Sequence, residues 1–167
     1  MNKFKFLGEW PAESRAAVEP SLAGLEWLVP GWCETVWIAW ASVPRDNLEA
    51  EASATTSIEY PYRWAKIVVR PGFLDESVER RRSALIHELL HVFIGPLAEY
   101  AEQMADRLMK DDAPKFHETV REELRVRHES AVQDLAYAIL GRERSAVAID
   151  PAARRHACHP WSEAVRP

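Results

Sequence analysis

Residues 84–94 read ALIHELLHVFI, an apolar run broken only by His87, Glu88 and His91. A segment that is apolar almost all round folds as a helix buried in the middle of a domain. Burying three titratable side chains without partners costs several kcal/mol, so any fold this chain adopts has to supply those partners. Two histidines four apart on a helix project from one face, one turn above the other, and both imidazoles can reach one ion. Zinc accepts neutral imidazole nitrogens at about 2.0–2.1 Å, and a catalytic zinc site adds one further protein ligand while leaving a position for water. Glu88 follows the first histidine and is poorly placed to share the ion. It is well placed to take a proton from a metal-bound water whose pKa the ion lowers to about 7. The competing expectation for these three residues is a solvent-facing or hydrogen-bonded cluster without metal.

Elements on either side of this helix follow from periodicity. Apolar residues recur at helical spacing from Ala12 to Leu28, with Pro20 expected to break the helix in two. The run Glu34–Ser42, rich in aromatic and β-branched residues, predicts a strand in which Val36, Ile38 and Trp40 share a face. The alanine-rich stretch Arg45–Thr56 shows no clear period and is read as a connection. A second strand is expected over about Ser57–Arg70, with Ala65, Ile67 and Val69 on one face. Pro71-Gly72 ends it, and the histidine-bearing helix starts near Val78 and stops at Gly95-Pro96. A further helix from Leu97 to Met109 carries Leu97, Ala101, Met104 and Leu108 on one stripe. A last one, from about Lys115 to Leu140 with Gly141 as its cap, turns Phe116, Val120, Leu124, Ala131, Leu135 and Ile139 inward. Strands followed by helices define an α+β class. The expected organisation is a single domain over residues 1–141 and an irregular tail over 142–167.

Length and composition bound the function. A chain of 167 residues is long enough for one domain with a substantial core. The net charge of −5 argues against a basic surface for phosphate backbones and so against nucleic-acid partners. Cys33 and Cys158 are too few and too far apart for a disulfide scaffold, so reduced thiols are expected. The N-terminus has no apolar run of a signal peptide, and no stretch reaches the roughly 20 apolar residues that cross a bilayer. No membrane association and a cytoplasmic location are the corresponding expectations.

With HELLH at 87–91 and the downstream segment HESAVQDLAYAIL at 128–140, the chain resembles the zincin metallopeptidases, most closely the small gluzincin-type proteins of bacteria and their phages. The resemblance spans roughly Pro30–Leu140. It implies a minimal zincin-like α+β domain in which the HExxH helix packs beneath a small sheet whose edge strand binds extended peptide. It further implies a Zn2+ cofactor, peptide or protein substrates, and a third ligand glutamate on a later helix, for which Glu129 is the matching position. The metzincin extension is absent, since Ile94 and Leu97 stand where its glycine and histidine belong. Many gluzincins also carry an aspartate four residues after the ligand glutamate; here that position is Gln133, followed by Asp134.

The residues themselves leave other third ligands open. His128 shares a helical stripe with Leu124, Ala131 and Leu135, and Glu129 projects about 100° away from it, at the border of that stripe. Glu99, Glu122 and His117 also compete, Glu99 only if the chain reverses at Gly95-Pro96. Tyr100 and His117 are the candidates for stabilising a transition state. The strand ending AKIVVR is the candidate substrate-binding edge. Arg80-Arg81-Arg82 reads as a solvated face, Trp27, Trp37 and Trp40 as core, and His156, Cys158 and His159 as a weak second metal candidate. Two functional alternatives stand beside a zinc peptidase: a non-catalytic zinc-binding module, and a zinc hydrolase of a non-peptide substrate.

Overall fold

Val36 and Ile38 are fully buried, as are Ala65, Ile67 and Val69, so the alternation that predicts two strands also marks the face they turn inward. In the computed structural model, which describes residues 3–41, 53–109 and 114–147, these residues belong to a four-stranded sheet in an α+β fold. The strands are β1 (Phe4–Leu7), β2 (Thr35–Trp40), β3 (Ala54–Glu59) and β4 (Trp64–Val69), in spatial order β1-β2-β4-β3. β1, β2 and β4 run parallel, whereas β3 pairs antiparallel with β4 and forms one edge.

Among the described residues, three α-helices complete the fold: α1 (Ala12–Leu22), α2 (Val78–Met109) and α3 (Pro114–Val147). α2 packs against α1, β3 and α3, which makes it the central helix. Leu85, Ile86, Leu89 and Val92 on α2 are fully buried, but Phe93 of the same run is exposed, so ALIHELLHVFI buries one side of the helix and not its whole circumference as expected. No helix among the described residues is long and apolar enough to cross a membrane.

Several boundaries differ from the sequence reading. The segment expected as one strand over Ser57–Arg70 is an antiparallel pair, β3 and β4, because Tyr60–Tyr62 makes a 3-10 turn and Arg63 takes a left-handed φ of 58°. The polar stretch before it, read as a connection to Thr56, already contains the first residues of β3. β1 falls in a segment too short to show a period. Pro20 lies inside the last turn of α1 and does not divide it, since only one backbone bond is lost so near the end.

Gly95-Pro96 does not stop α2, which runs for 32 residues. The residue before a proline resists helical geometry partly through its Cβ, which Gly95 lacks. That missing Cβ also admits Ile58 of β3, whose Cδ1 occupies the space a side chain at Gly95 would need. Beyond Pro96 the inward residues include Ala105, while Leu97 and Leu108 point to solvent. α3 likewise continues through Gly141 to Val147, so residues 142–147 are helical and not an irregular tail. Its buried positions are His117, Val132 and Ala136, with Leu124, His128 and Leu140 half-buried; Phe116, Ala131 and Leu135 face outward. The inward stripe thus follows a four-residue step through Leu124, His128, Val132 and Ala136, rotated from the expected one.

The arginine run is not simply solvated. Arg81 reaches the carbonyl of Ala17, and Arg82 those of Ser21 and Ala23, so the start of α2 caps the end of α1. Trp27 is exposed, and Trp37 and Trp40 are half-buried. Cys33 is a buried free thiol, its pKa pushed up by burial. His156, Cys158 and His159 lie outside the described residues.

Candidate metal centre

His87, Glu88 and His91 share one stretch of α2, but their surroundings separate them. Glu88 is buried against β3, while the side chains of His87 and His91 keep 22% and 15% of their exposure, at the wall of a cleft. Their Nε2 atoms stand 3.1 Å apart. Across the cleft α3 supplies Glu129, whose Oε2 lies 3.6 Å from the Nε2 of each histidine. The Glu129 side chain is nearly half exposed, consistent with a carboxylate reaching sideways from the border of the buried stripe.

This donor set suits a zinc ion. Ligand atoms on a tetrahedral zinc with bonds of 2.0–2.1 Å stand about 3.3–3.4 Å from one another. The three observed separations, 3.1, 3.6 and 3.6 Å, bracket that value without any rearrangement of the backbone. Two imidazoles and one carboxylate are also the protein ligands of an open catalytic site, with a fourth position for water or substrate. Among the described residues, His87, His91 and Glu129 are the group whose ligand atoms converge closely enough to hold a metal.

The other candidates go elsewhere. The His128 ring packs edge-on against His91, centroids 5.0 Å apart, with its Nε2 buried and no hydrogen-bond partner. His117 is bonded to Asp106 at 2.6 Å and ties α3 to α2 away from the cleft. Glu122 is held by Arg125 on the surface. Glu99 and Glu102 line the cleft further along α2, Glu99 accepting a bond from Gln103. Tyr100 is exposed, and neither it nor His117 lines the cleft. Gln133 and Asp134, at the departure from the gluzincin pattern, border shallow depressions beside His87.

Burial sets the charge states. It lowers the His91 pKa to about 4, with neighbouring Glu129 opposing and His87 and His128 reinforcing the shift. At neutral pH the ring is therefore uncharged, the state in which its nitrogen binds a metal. Burial also raises the Glu88 pKa, partly offset by a hydrogen bond from Thr56 and by His87. A carboxyl shifted upward accepts protons more readily at neutral pH, as a general base requires.

Thr56 is the participant that sequence reasoning missed. Its Oγ1 donates to Glu88 Oε2 at 2.6 Å and also stands 3.2 Å from the Glu88 carbonyl oxygen. The strand that carries it had no visible period, and a lone hydroxyl gives no motif.

The cleft itself has a volume of about 540 Å3 and is walled by β3 on one side and by α2 and α3 on the others. The sequence reading placed a substrate edge on the AKIVVR strand, but β4 is paired on both sides and offers none. The edge is β3. Arg70 N–H bonds the Ser53 carbonyl, directly opposite it in the register, so alternate residues from Ser53 pair with β4. The backbone groups of Ala54, Thr56 and Ile58 consequently face away from β4, toward the open side.

No family model, curated protein or solved structure matches this chain.

Proposed function

We propose that this protein is a zinc-dependent peptidase of gluzincin type. The observation that carries the proposal is the convergence of His87, His91 and Glu129 at zinc-ligand spacing beside the buried carboxylate of Glu88. His87, His91 and Glu129 would hold the ion, which when bound supplies a polarised carbonyl and a water acidic enough to lose its proton near neutral pH. Glu88 takes that proton on its carboxylate as the water adds to the peptide carbonyl carbon. It then would deliver the proton to the departing nitrogen as the C–N bond breaks, and the water's second proton, left on the new carboxyl, passes to the amine to give a carboxylate and an ammonium group.

The open side of β3 supports an extended peptide as the substrate. Among the described residues no strand pairs with the backbone groups of Ala54, Thr56 and Ile58 on that side, where such a chain could add as a further strand, and that edge borders the cleft holding the triad.

The test is hydrolysis of a proteome-derived peptide library, read by mass spectrometry, with wild type and Glu88→Gln both loaded with zinc. The expected result is cleavage by the wild type and a loss of about 10²–10⁴-fold in rate for the variant, at equal zinc content and melting temperature. Cleavage retained in Glu88→Gln removes Glu88 from the reaction. A zinc-loaded wild type that cleaves nothing favours the non-catalytic module.

A further inference from the structure

Glu88 is the side chain on which the proposed chemistry turns, and what holds it belongs to a different element. Its carboxylate is buried under β3, where Thr56 Oγ1 donates to Oε2 at 2.6 Å. Neither neighbour of Thr56 on that face of β3, Ala54 or Ile58, can donate a hydrogen bond from its side chain. Threonine is branched at Cβ and stiff about χ1, and its backbone is held between Thr55 and Ser57, the residues that pair with β4 opposite Val68 and Lys66, so the donor has little freedom to wander.

We infer that Thr56 is the positioning residue for the general base: its hydroxyl pins one carboxylate oxygen of Glu88 and leaves the other to exchange protons with the water and the leaving nitrogen. This inference rests on the peptidase reading. It adds a physical link between substrate docking and catalysis, because the backbone N–H and carbonyl of the same residue face the open side of β3 where the peptide would pair. A peptide that draws β3 into register therefore also fixes the donor that orients Glu88. Misplacement of a reacting group by about 1 Å costs on the order of 10²-fold in rate, so a carboxylate freed to rotate at Glu88 carries a measurable penalty.

The experiment compares wild type, Thr56→Val and Thr56→Ser in the full zinc-loaded chain, on a peptide identified from the library. Thr56→Val preserves the shape and removes the donor; the expected result is a fall of about 10- to 100-fold in kcat with KM and zinc content unchanged. Thr56→Ser restores the donor and recovers most of that loss. An independent readout needs neither metal nor turnover: in the zinc-free full chain the Thr56 hydroxyl proton is protected from exchange by NMR, and the protection falls in Glu88→Ala, where only the residue-88 carbonyl at 3.2 Å remains to accept it. Unchanged kcat in Thr56→Val, a loss that serine does not recover, or a hydroxyl proton unprotected in the wild type each overturn the inference while leaving the peptidase reading standing. A wild type without hydrolysis sinks that reading, and the inference with it.

Discussion

The Nε2 atoms of His87 and His91 face each other across 3.1 Å on successive turns of α2. Two imidazoles so close can share one proton between them, or both can turn their lone pairs on an ion, and the two arrangements respond oppositely to metal. If they form a metal site, zinc binds the folded chain and not the unfolded one, and stabilises it by about 2.7 kcal/mol at a hundredfold excess over Kd. For a chain of this size that corresponds to a rise of roughly 5–10 °C in melting temperature. Thermal unfolding with zinc and then with chelator measures it, and equal melting temperatures in both contradict the site.

Ligand assignment on α3 gives a second expectation. Glu129 places its oxygen within 3.6 Å of both imidazoles, while His128 meets His91 through its ring. Glu129→Ala is expected to weaken zinc binding by at least tenfold, and His128→Ala to retain it, when both are titrated by calorimetry. The opposite pattern assigns the third ligand to His128.

The pH dependence of the metal-free protein follows from His91. Its folded pKa of about 4 lies below the ordinary value of 6.5, so between those two values the unfolded chain binds a proton that the folded chain does not. The stability this group contributes is complete above pH 6.5 and is lost as pH falls toward 4, amounting at most to about 3 kcal/mol. Glu88 acts with the opposite sign, because its raised pKa contributes stability that is lost as pH rises through the raised value. Urea unfolding of metal-free Glu88→Gln at pH 7 and pH 4.5 isolates the histidine effect. The expected result is lower stability at pH 4.5, with the difference reduced when His91→Phe is added; an equal difference in both chains contradicts it.

At the crossing of α2 and β3, a side chain on Gly95 would collide with Ile58. Gly95→Ala meets only the end of the half-buried Ile58 side chain, which can turn toward the cleft, so its expected cost is under about 1 kcal/mol, offset in part by alanine's better helix propensity. Ile58→Ala in the same chain opens room for the new methyl, so the pair should cost less than the sum of the two single changes. Additive losses in denaturant unfolding would show that the contact is not what requires glycine.

What the sequence makes legible here is what depends on short-range pattern. Alternation at Val36, Ile38, Ala65, Ile67 and Val69 marks buried strand faces, and the apolar surroundings of His87, Glu88 and His91 mark a helix with a buried side, though the exposed Phe93 shows that it is not buried all round. The features hidden from it depend on contacts between distant segments. Gly95-Pro96 reads as a stop because nothing local announces that Ile58 will fill the space beside Gly95. The inward face of α3 is set by packing on α2, which selects Val132 and Ala136 over the bulkier Leu135. Thr56 is invisible for the same reason: its importance is a hydrogen bond to a residue 32 positions away. Glu129, by contrast, came from resemblance to gluzincins, and it is the residue whose carboxylate meets the two histidines.

Elemental analysis of purified protein, wild type beside His87→Ala, tests the central claim most directly. The account predicts about one zinc per chain in the wild type and its loss in the variant, with both chains folded. A folded wild type that binds no zinc even when it is supplied would contradict it, and would leave His87, His91 and Glu129 as a hydrogen-bonded cluster on the wall of a cleft.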